Sequence, residues 1–258
     1  MIQRAIDGTV GLRRGGSADR AGPVRRPIET GSQALDALLG GGVPAGRIVD
    51  FSGASGVGKT QLCMQLCVQV QRLRSGGRES LCAVYVDTAG TFRPERLREI
   101  ATHRRIRGEA TLRKVYVNSA RGLDEQMRLP QTIKDLASRA PIGLVVIDTL
   151  SENFIYQPGD EVPLLRRQSL LAKHLNDLAH LALDVNIGVV VTNTVRTAID
   201  EDRKPHVEVG GTATTYGPHL RVRIERSNSK RVATLLRPPS FGKACFEIRV
   251  EGLVDCGS

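Results

Sequence analysis

The segment from Gly53 to Thr60 has the residue types and spacing of a phosphate-binding loop. It reads G-A-S-G-V-G-K-T, follows an apolar run and precedes a helix-like stretch. Glycines let main-chain N–H groups approach phosphates closely, and the positive end of the next helix favours an anion. In this pattern Lys59 reaches the outer phosphates and the Thr60 hydroxyl binds Mg²⁺. The alternative, a glycine-rich turn without a ligand, is disfavoured by the strand–loop–helix context. The predicted nucleotide-binding residues here are Gly53, Ala54, Ser55, Gly56, Val57, Gly58, Lys59, Thr60 and Gln61.

Asp148 is the candidate for the second half of this site. It ends the apolar run Leu144–Asp148, and ligands of open α/β sheets bind at the carboxyl ends of parallel strands. Its carboxylate and the Thr60 hydroxyl are therefore predicted to face each other and to hold Mg²⁺ with ATP. The alternative is that Asp148 caps the amino end of a helix.

Strand and helix patterns alternate along the chain, which predicts an α/β fold with a largely parallel twisted sheet flanked by helices. Continuous apolar runs near residues 144 and 189 are typical of central strands buried on both faces. After residue 220 the pattern changes to shorter strands, interpreted as a mostly antiparallel edge. The predicted strands are 46–52, 81–87, 113–118, 142–148, 187–192, 220–224, 232–236 and 244–250, and the helices are 58–73, 94–104, 122–138 and 163–184.

The charge balance favours a polyanionic partner. The chain has 258 residues and a formal net charge of +10, which suits nucleic acid, although a solvated basic surface is the alternative. Residues 1–27, rich in arginine and glycine, are predicted to be a flexible basic arm, which either contacts nucleic acid or has no role, and residues 28–258 one folded core. No apolar run is long enough to span a membrane and no secretory signal is recognised, so we expect no membrane partner and an intracellular protein.

The cysteines and histidines do not suggest a metal site. Cys63 and Cys67 share a helix face and are interpreted as small apolar packing residues. The five histidines show no ligand spacing.

The stretch from Val84 to Leu97, V-Y-V-D-T-A-G-T-F-R-P-E-R-L, resembles the RecA/RadA recombinase superfamily, in particular its archaeal–eukaryotic RadA branch. The resemblance covers about residues 28–253. It extends to the Thr30-Gly-Ser entry, the phosphate loop, Arg167-Gln168, Val191-Thr-Asn193 and Val209-Gly-Gly211.

The resemblance implies a RecA-like ATPase core that uses ATP and Mg²⁺ and acts on DNA. By position, Lys59, Thr60 and Asp148 would bind the phosphates and the metal, and Arg96 would lie against the adenine. The loops at about 151–163 and 196–217 would contact DNA. The predicted DNA-binding residues are Arg196, Gly210, Gly211, Thr212 and Arg221.

Two catalytic positions depart from the family pattern. Ala89 stands where active recombinases carry a glutamate that activates water, and Thr194 stands where they carry a glutamine that senses the γ-phosphate. A methyl group can neither orient nor deprotonate water. Asp87 and Glu152 are the alternative sources of a base.

Further departures concern DNA contact and assembly. Asp160 and Glu161 make the first predicted DNA loop acidic. No helix-hairpin-helix pattern and no F-x-x-A segment precede the core, since the first phenylalanine is Phe51. Arg237-Pro-Pro239 stands where active relatives place an acidic cap over a neighbour's nucleotide.

These features favour a RadB-like or other RadA paralogue that acts in homologous recombination and DNA repair. It would bind ATP and single- or double-stranded DNA, hydrolyse ATP weakly and assist a RadA-type recombinase or another paralogue. The alternatives are an active DNA-dependent ATPase recombinase and a RecA-fold ATPase adaptor without DNA contact. The expected location is the cytoplasm and nucleoid of an archaeon or the nucleus of a eukaryote.

Overall fold

The computed structural model describes residues 25–76, 79–155, 162–197, 206–208, 211–239 and 242–257. The helices of these residues are α1 (Gln33–Leu38), α2 (Lys59–Gln69), α3 (Pro94–His103), α4 (Gly108–Leu112), α5 (Leu123–Ala137), α6 (Leu164–Val185) and α7 (Gly211–Tyr216). The strands are β1 (Ile48–Gly53), β2 (Arg74–Ser75), β3 (Glu79–Ser80), β4 (Cys82–Asp87), β5 (Val115–Asn118), β6 (Ile142–Asp148), β7 (Gly188–Thr197), β8 (His206–Glu208), β9 (Leu220–Ser227), β10 (Lys230–Arg237), β11 (Lys243–Arg249) and β12 (Gly252–Asp255).

One large sheet organises the chain, with the strand order β12-β11-β10-β9-β1-β7-β6-β4-β5. The pairs from β9 to β5 along this order are parallel, and β10, β11 and β12 add an antiparallel edge. This confirms the predicted fold class. The prediction was wrong in one detail, because β9 pairs in parallel with β1 and therefore lies inside the sheet rather than at its edge.

The apolar runs of the central strands are explained by two cores, one on each face of the sheet. Successive side chains of a strand point to opposite faces. In β6, Leu144 and Val146 pack with α2 and α3 in one core, whereas Val145 and Ile147 pack with α5 and α6 in the other. A strand covered on both faces needs apolar residues at every position.

Short elements were missed in the sequence because they carry no apolar period. These are the β2–β3 hairpin, α4, α7, β8 and β12.

No pair of cysteines is predicted from the sequence, whereas Cys245 on β11 and Cys256 after β12 form a disulfide. Cys63 and Cys67 are buried in the core, as predicted. None of the described helices is long and apolar enough to cross a bilayer.

The described residues begin at residue 25, shortly before the predicted start of the core at residue 28. Ile28 is buried and bridges Val43, but Arg25 already contacts the sheet through a 3.0 Å hydrogen bond to the Ile142 carbonyl. The arm predicted for residues 1–27 lies mostly outside the described residues, so that division stays a prediction.

Candidate nucleotide-binding site

The predicted phosphate loop joins the carboxyl end of β1 to the first turn of α2. Gly58 has φ +107°, a conformation that favours glycine. A Cβ on Gly58 would come within 2.1 Å of the Ile248 side chain, and one on Gly53 within 2.3 Å of the Ile224 carbonyl. Gly53 is therefore required by packing against the main chain of β9, whereas Gly58 is required mainly by its backbone conformation.

Lys59 is held at the centre of this loop. Its Nζ donates to the carbonyls of Gly53 (2.8 Å) and Ala54 (2.9 Å), and the residue is only 7% exposed. Burial lowers the pKa of Lys59, and the nearby Asp148 and Asp50 carboxylates oppose that shift. The loop thus holds a cation between its own carbonyls, next to the main-chain N–H groups at the start of α2.

Asp148 and Thr60 meet as the sequence predicts. The Thr60 hydroxyl donates to Oδ2 of Asp148 at 2.7 Å, the Tyr85 hydroxyl donates to the same oxygen at 2.7 Å, and Thr192 donates to Oδ1. The alternative role of Asp148 as a helix cap is wrong, because it is followed by a turn and its carboxylate binds these three hydroxyls. A carboxylate beside a hydroxyl is an oxygen donor set that Mg²⁺ prefers, so Thr60 and Asp148 fit the predicted metal.

Tyr85 completes the environment of this carboxylate. Its ring is buried and packs 4.8 Å from the Phe92 ring. Burial raises the pKa of the Tyr85 phenol, so the group stays protonated and acts as a fixed donor to Asp148.

Arg96 lies beside the loop and is extensively hydrogen-bonded. Its Nε donates to Oε1 of Gln61 (2.7 Å), its Nη1 to the Val250 carbonyl (2.6 Å) and its Nη2 to the Arg249 carbonyl (2.7 Å), and it pairs with Glu99. The guanidinium thus connects α2 and α3 to the turn between β11 and β12. Its predicted stacking on adenine stays a prediction.

The turn after β4 fixes Asp87 and exposes Ala89. Both carboxylate oxygens of Asp87 accept main-chain N–H groups, from Thr91 (3.0 Å) and Phe92 (2.9 Å). Asp87 is therefore engaged in holding the turn that carries Ala89. Glu152 is exposed and begins the 3-10 turn after β6.

Thr194 lies in register with Gly53, the first residue of the phosphate loop. It is half-buried on β7, directly beside the strand that leads into the loop. A residue at this position lies close to the start of the loop. Thr194, however, has a short hydroxyl side chain where the family pattern has the longer amide of glutamine.

The prediction that Arg221 contacts DNA conflicts with its position. Arg221 is 6% exposed, and its Nε donates to Oδ2 of Asp50 at 3.2 Å. Asn193 donates to Oδ1 of the same carboxylate at 2.8 Å. Arg221 is therefore a buried partner of an anion on β1, because β9 lies inside the sheet and turns this side chain inward.

The remaining predicted DNA contacts are described only in part. The main chain of Arg196 pairs with Val207, and Gly211 and Thr212 begin α7. Gly210 and the predicted acidic residues Asp160 and Glu161 lie outside the described residues. These DNA-contact assignments stay predictions.

A buried polar network anchors the first predicted DNA loop where it leaves β6. Gln126 donates to the Leu150 carbonyl (2.8 Å), Asn153 donates to Gln126 (2.9 Å), and Arg167 donates to the carbonyls of Asn153 (3.1 Å) and Ile155 (3.3 Å). The start of this loop is therefore fixed to α5 and α6, and Arg167 also donates to the Val162 carbonyl (3.1 Å) at the other end of the loop.

Sequence reasoning did not identify Tyr85, Thr192, Asp50 and Gln126 as site residues. Their signal is a polar side chain inside an otherwise apolar strand or on the apolar side of a helix. Thr192 and Asn193, for example, directly follow the run Val189–Val191. Such residues are buried only when they have a polar partner.

A phosphate loop at the carboxyl edge of this sheet, facing an aspartate two strands away, defines a RecA-like P-loop core. Residues 25–256 match the Rad51 family, and the chain belongs to it, within the RecA/RadA/Rad51 superfamily. Proteins of this family bind ATP, typically with Mg²⁺, bind DNA and act in recombination and repair.

Proposed function

We propose that this chain is a RadA-type recombinase paralogue that binds ATP with Mg²⁺, hydrolyses it slowly and assists a full recombinase on DNA. The observation that carries the proposal is an imbalance within one site. The side chains for the phosphates and the metal, Lys59, Thr60 and Asp148, are together and hydrogen-bonded, whereas the positions for water activation and γ-phosphate sensing are Ala89 and Thr194.

The possible substitutes for the missing base do not favour an active recombinase. Asp87 uses both oxygens to hold the turn after β4. A carboxylate whose two oxygens accept main-chain N–H groups is committed to the turn and is not directed at a water. Glu152 is exposed on the 3-10 turn and makes none of the hydrogen bonds seen at Asp148.

The proposed partner is a RadA-type recombinase or another paralogue. The outermost strand of the parallel region, β5, pairs on one side with β4. Tyr116 is 40% exposed and Val117 is 46% exposed on this edge. An open strand edge with exposed apolar residues supports docking of an extended segment from another chain.

The proposed function on DNA implies that the protein is located in a nucleoid or a nucleus.

The test measures two quantities, the affinity for ATP and the rate of ATP turnover, each with and without single-stranded DNA. We expect nucleotide affinity in the range usual for a P-loop protein and a slow turnover that DNA changes little. A turnover that rises many-fold on adding single-stranded DNA supports the active recombinase instead. Absence of nucleotide binding supports the other alternative, a RecA-fold adaptor without DNA contact.

Assembly provides an independent test. Head-to-tail filaments need a heterologous interface that repeats from one subunit to the next. In this chain Arg237-Pro-Pro239 stands where active relatives place the acidic cap of that interface. In electron micrographs with ATP, Mg²⁺ and single-stranded DNA, the isolated protein should therefore form no regular filaments. Regular filaments of this protein alone would contradict the paralogue proposal.

A further inference from the structure

The hairpin formed by β11 and β12, at one end of the large sheet, carries the disulfide. Phe246 and Asp255 are the last paired residues at the open end of this hairpin. Cys245 and Cys256 are therefore the next pair of opposite residues, and their Cα atoms lie 5.6 Å apart. The disulfide joins the two strands where β12 ends, at the end of the hairpin farthest from its turn.

The disulfide lies on the outer face of this hairpin. Successive side chains of a strand point to opposite faces, and Phe246 on β11 is buried in the core. Cys245 therefore shares the other face with Glu247 and Arg249, which form a partly exposed ion pair (2.9 Å). Cys245 and Cys256 are both half-buried. The bond is thus at the surface of the protein, where a small thiol reagent has access.

The turn of the same hairpin holds Arg96 beside the phosphate loop. The carbonyls of Arg249 and Val250, where β11 ends, accept hydrogen bonds from the Arg96 guanidinium at 2.7 and 2.6 Å. Arg96 also donates to the Gln61 side chain (2.7 Å), in the first turn of α2. The position of the hairpin turn therefore determines where Arg96 lies relative to the nucleotide site.

Two further contacts join the hairpin to the phosphate loop and to the helix that follows it. The Gln65 side chain on α2 accepts from the Leu253 N–H (2.6 Å) and donates to the Leu253 carbonyl (3.3 Å). The Ile248 side chain on β11 lies against Gly58 of the loop. The hairpin thus contacts the loop, α2 and Arg96 together, so disorder in the hairpin is transmitted to the nucleotide site.

Without the disulfide, β12 is held by non-covalent contacts alone. It is the last strand in the order of the sheet and has four residues. At its end, the Asp255 carboxylate accepts from the main-chain N–H groups of Gln33 (3.0 Å) and Ala34 (3.1 Å), at the start of α1. These contacts keep the reduced hairpin folded for part of the time, but a short terminal strand opens at a low cost in free energy.

We propose that Cys245 and Cys256 form a thiol–disulfide exchange site that regulates ATP binding, with the oxidised protein binding ATP more tightly than the reduced protein. This inference rests on the proposed function, which includes ATP binding and a location in a nucleoid or a nucleus. Disulfides in such reducing compartments are usually transient or redox-sensing, which favours a bond that forms and breaks.

The exchange needs a dithiol reductant. One thiolate of the reductant attacks a sulfur of the Cys245–Cys256 bond, which breaks and releases the other cysteine as a thiolate. The second thiolate of the reductant then attacks the mixed disulfide and releases the first cysteine. Two electrons and two protons pass to the protein, which gains two thiols, and the reductant becomes a disulfide.

Reduction should weaken ATP binding because β12 then opens more often. Opening separates Leu253 from Gln65 and the hairpin turn from Arg96. Since ATP binds the ordered site, its affinity falls in proportion to the fraction of molecules in which the hairpin is in place. We expect the Kd for ATP to rise by about fivefold or more, which is the lower end of common coupling between sites.

The first experiment compares the Kd of a fluorescent ATP analogue for the oxidised protein and for the protein reduced with dithiothreitol. Circular dichroism selects a temperature at which both forms are folded. Cys245→Ser/Cys256→Ser should bind as the reduced wild type does and should not respond to dithiothreitol. Cys82→Ala, which removes a buried free thiol on β4, is the control and should respond as the wild type does.

The second experiment uses the reciprocity of coupled equilibria. Thiol labelling in mixtures of reduced and oxidised dithiothreitol measures the fraction of protein in which Cys245 and Cys256 are reduced. Saturating ATP should raise the ratio of reduced to oxidised dithiothreitol at half-reduction by the same factor as that between the two Kd values. Hydrogen exchange without ATP should become faster on reduction at residues 249–255 and 59–62, and stay unchanged in β4.

The outcomes separate this inference from the proposed function. Equal ATP affinities of the oxidised and reduced protein would overturn the inference and leave the proposed ATP binding intact. A response of Cys245→Ser/Cys256→Ser to dithiothreitol, or a half-reduction point that ATP does not shift, would also overturn it, because the reductant would then act elsewhere. Absence of ATP binding in both forms would contradict the proposed function and this inference together.

Discussion

The hydroxyl of Thr60 lies 2.7 Å from Oδ2 of Asp148, across the strand β7 that separates β1 from β6. The first residue comes from the phosphate loop and the second from the end of a different strand. Their contact unites the two predicted halves of the site at the carboxyl edge of the sheet, where the strand order changes direction.

Lys59→Ala should weaken ATP binding by about 10- to 100-fold, the loss expected for a charged hydrogen-bonding group worth about 1.5–3 kcal/mol. Lys59 is the cation that the loop carbonyls hold in place. Titration with a fluorescent ATP analogue measures the effect. Lys243→Ala, an exposed lysine on β11, serves as the control and should bind as the wild type does. Equal affinity of wild type and Lys59→Ala would mean that the nucleotide binds elsewhere.

Ala89→Glu should raise the rate of ATP hydrolysis. A positioned base contributes about 10²–10⁴-fold, and Ala89 lies on an exposed turn with room for a longer side chain. The gain will be smaller than this range if Thr194 also limits the reaction. Ala89→Gln is the matched control, because it has a similar size without a base and should stay at the wild-type rate. Steady-state phosphate release distinguishes the two, and a fast Ala89→Gln would point to a steric effect.

Arg221→Ala should destabilise the fold rather than specifically reduce DNA affinity. Removing one member of a buried ion pair takes the counterion from the other and costs about 3–5 kcal/mol; here the Asp50 carboxylate loses Arg221 but keeps the hydrogen bond from Asn193. Urea unfolding measures the loss. The exposed Arg226 on the same strand provides the control, since surface substitutions usually change stability by less than about 0.5 kcal/mol. A fully stable Arg221→Ala that loses DNA affinity would restore the original prediction for this residue.

The case of Arg221 explains which parts of the protein could be predicted from its sequence. The phosphate loop, Asp148 and the alternation of central strands with helices along the chain have strong local patterns, and the structure agrees with them. The inward direction of Arg221 depends on β9 pairing in parallel with β1, a contact between residues about 170 positions apart. Local patterns carry no information on such pairing, nor on the hydroxyls of Tyr85 and Thr192 that meet at Asp148.

Reduction of the Cys245–Cys256 disulfide should lower the free energy of unfolding by about 3 kcal/mol, the loop-closure value for a short loop; the two residues are 11 positions apart. Thermal unfolding with and without a reductant measures it. The variant Cys245→Ser/Cys256→Ser should unfold at the temperature of the reduced wild type and should not respond to reductant. A response in that variant would show that the reductant acts through something other than this disulfide, because the remaining cysteines Cys63, Cys67 and Cys82 are free thiols with no bond to reduce.

Stability should fall as the pH decreases from about 6.5 to about 4, because of His174. This side chain is fully buried on α6, next to the Phe154 ring (5.8 Å), and neither ring nitrogen has a hydrogen-bond partner among the described residues. Burial lowers the pKa of His174 to about 4. The nearby Asp177 acts to raise this pKa and Lys173 to lower it, and both effects are smaller than that of burial.

The sign follows from proton binding. Between the two pKa values the unfolded chain binds a proton at His174 and the folded chain does not, so acid favours unfolding. A difference of about 2.5 pKa units corresponds to about 3 kcal/mol, fully present above pH 6.5 and lost as the pH falls toward 4. His174→Phe keeps an aromatic ring without the titrating nitrogens and should flatten this part of the pH profile of urea unfolding. His180→Phe, at an exposed position of the same helix, should keep the wild-type profile. If His174→Phe leaves the profile unchanged, the acid sensitivity arises from another group.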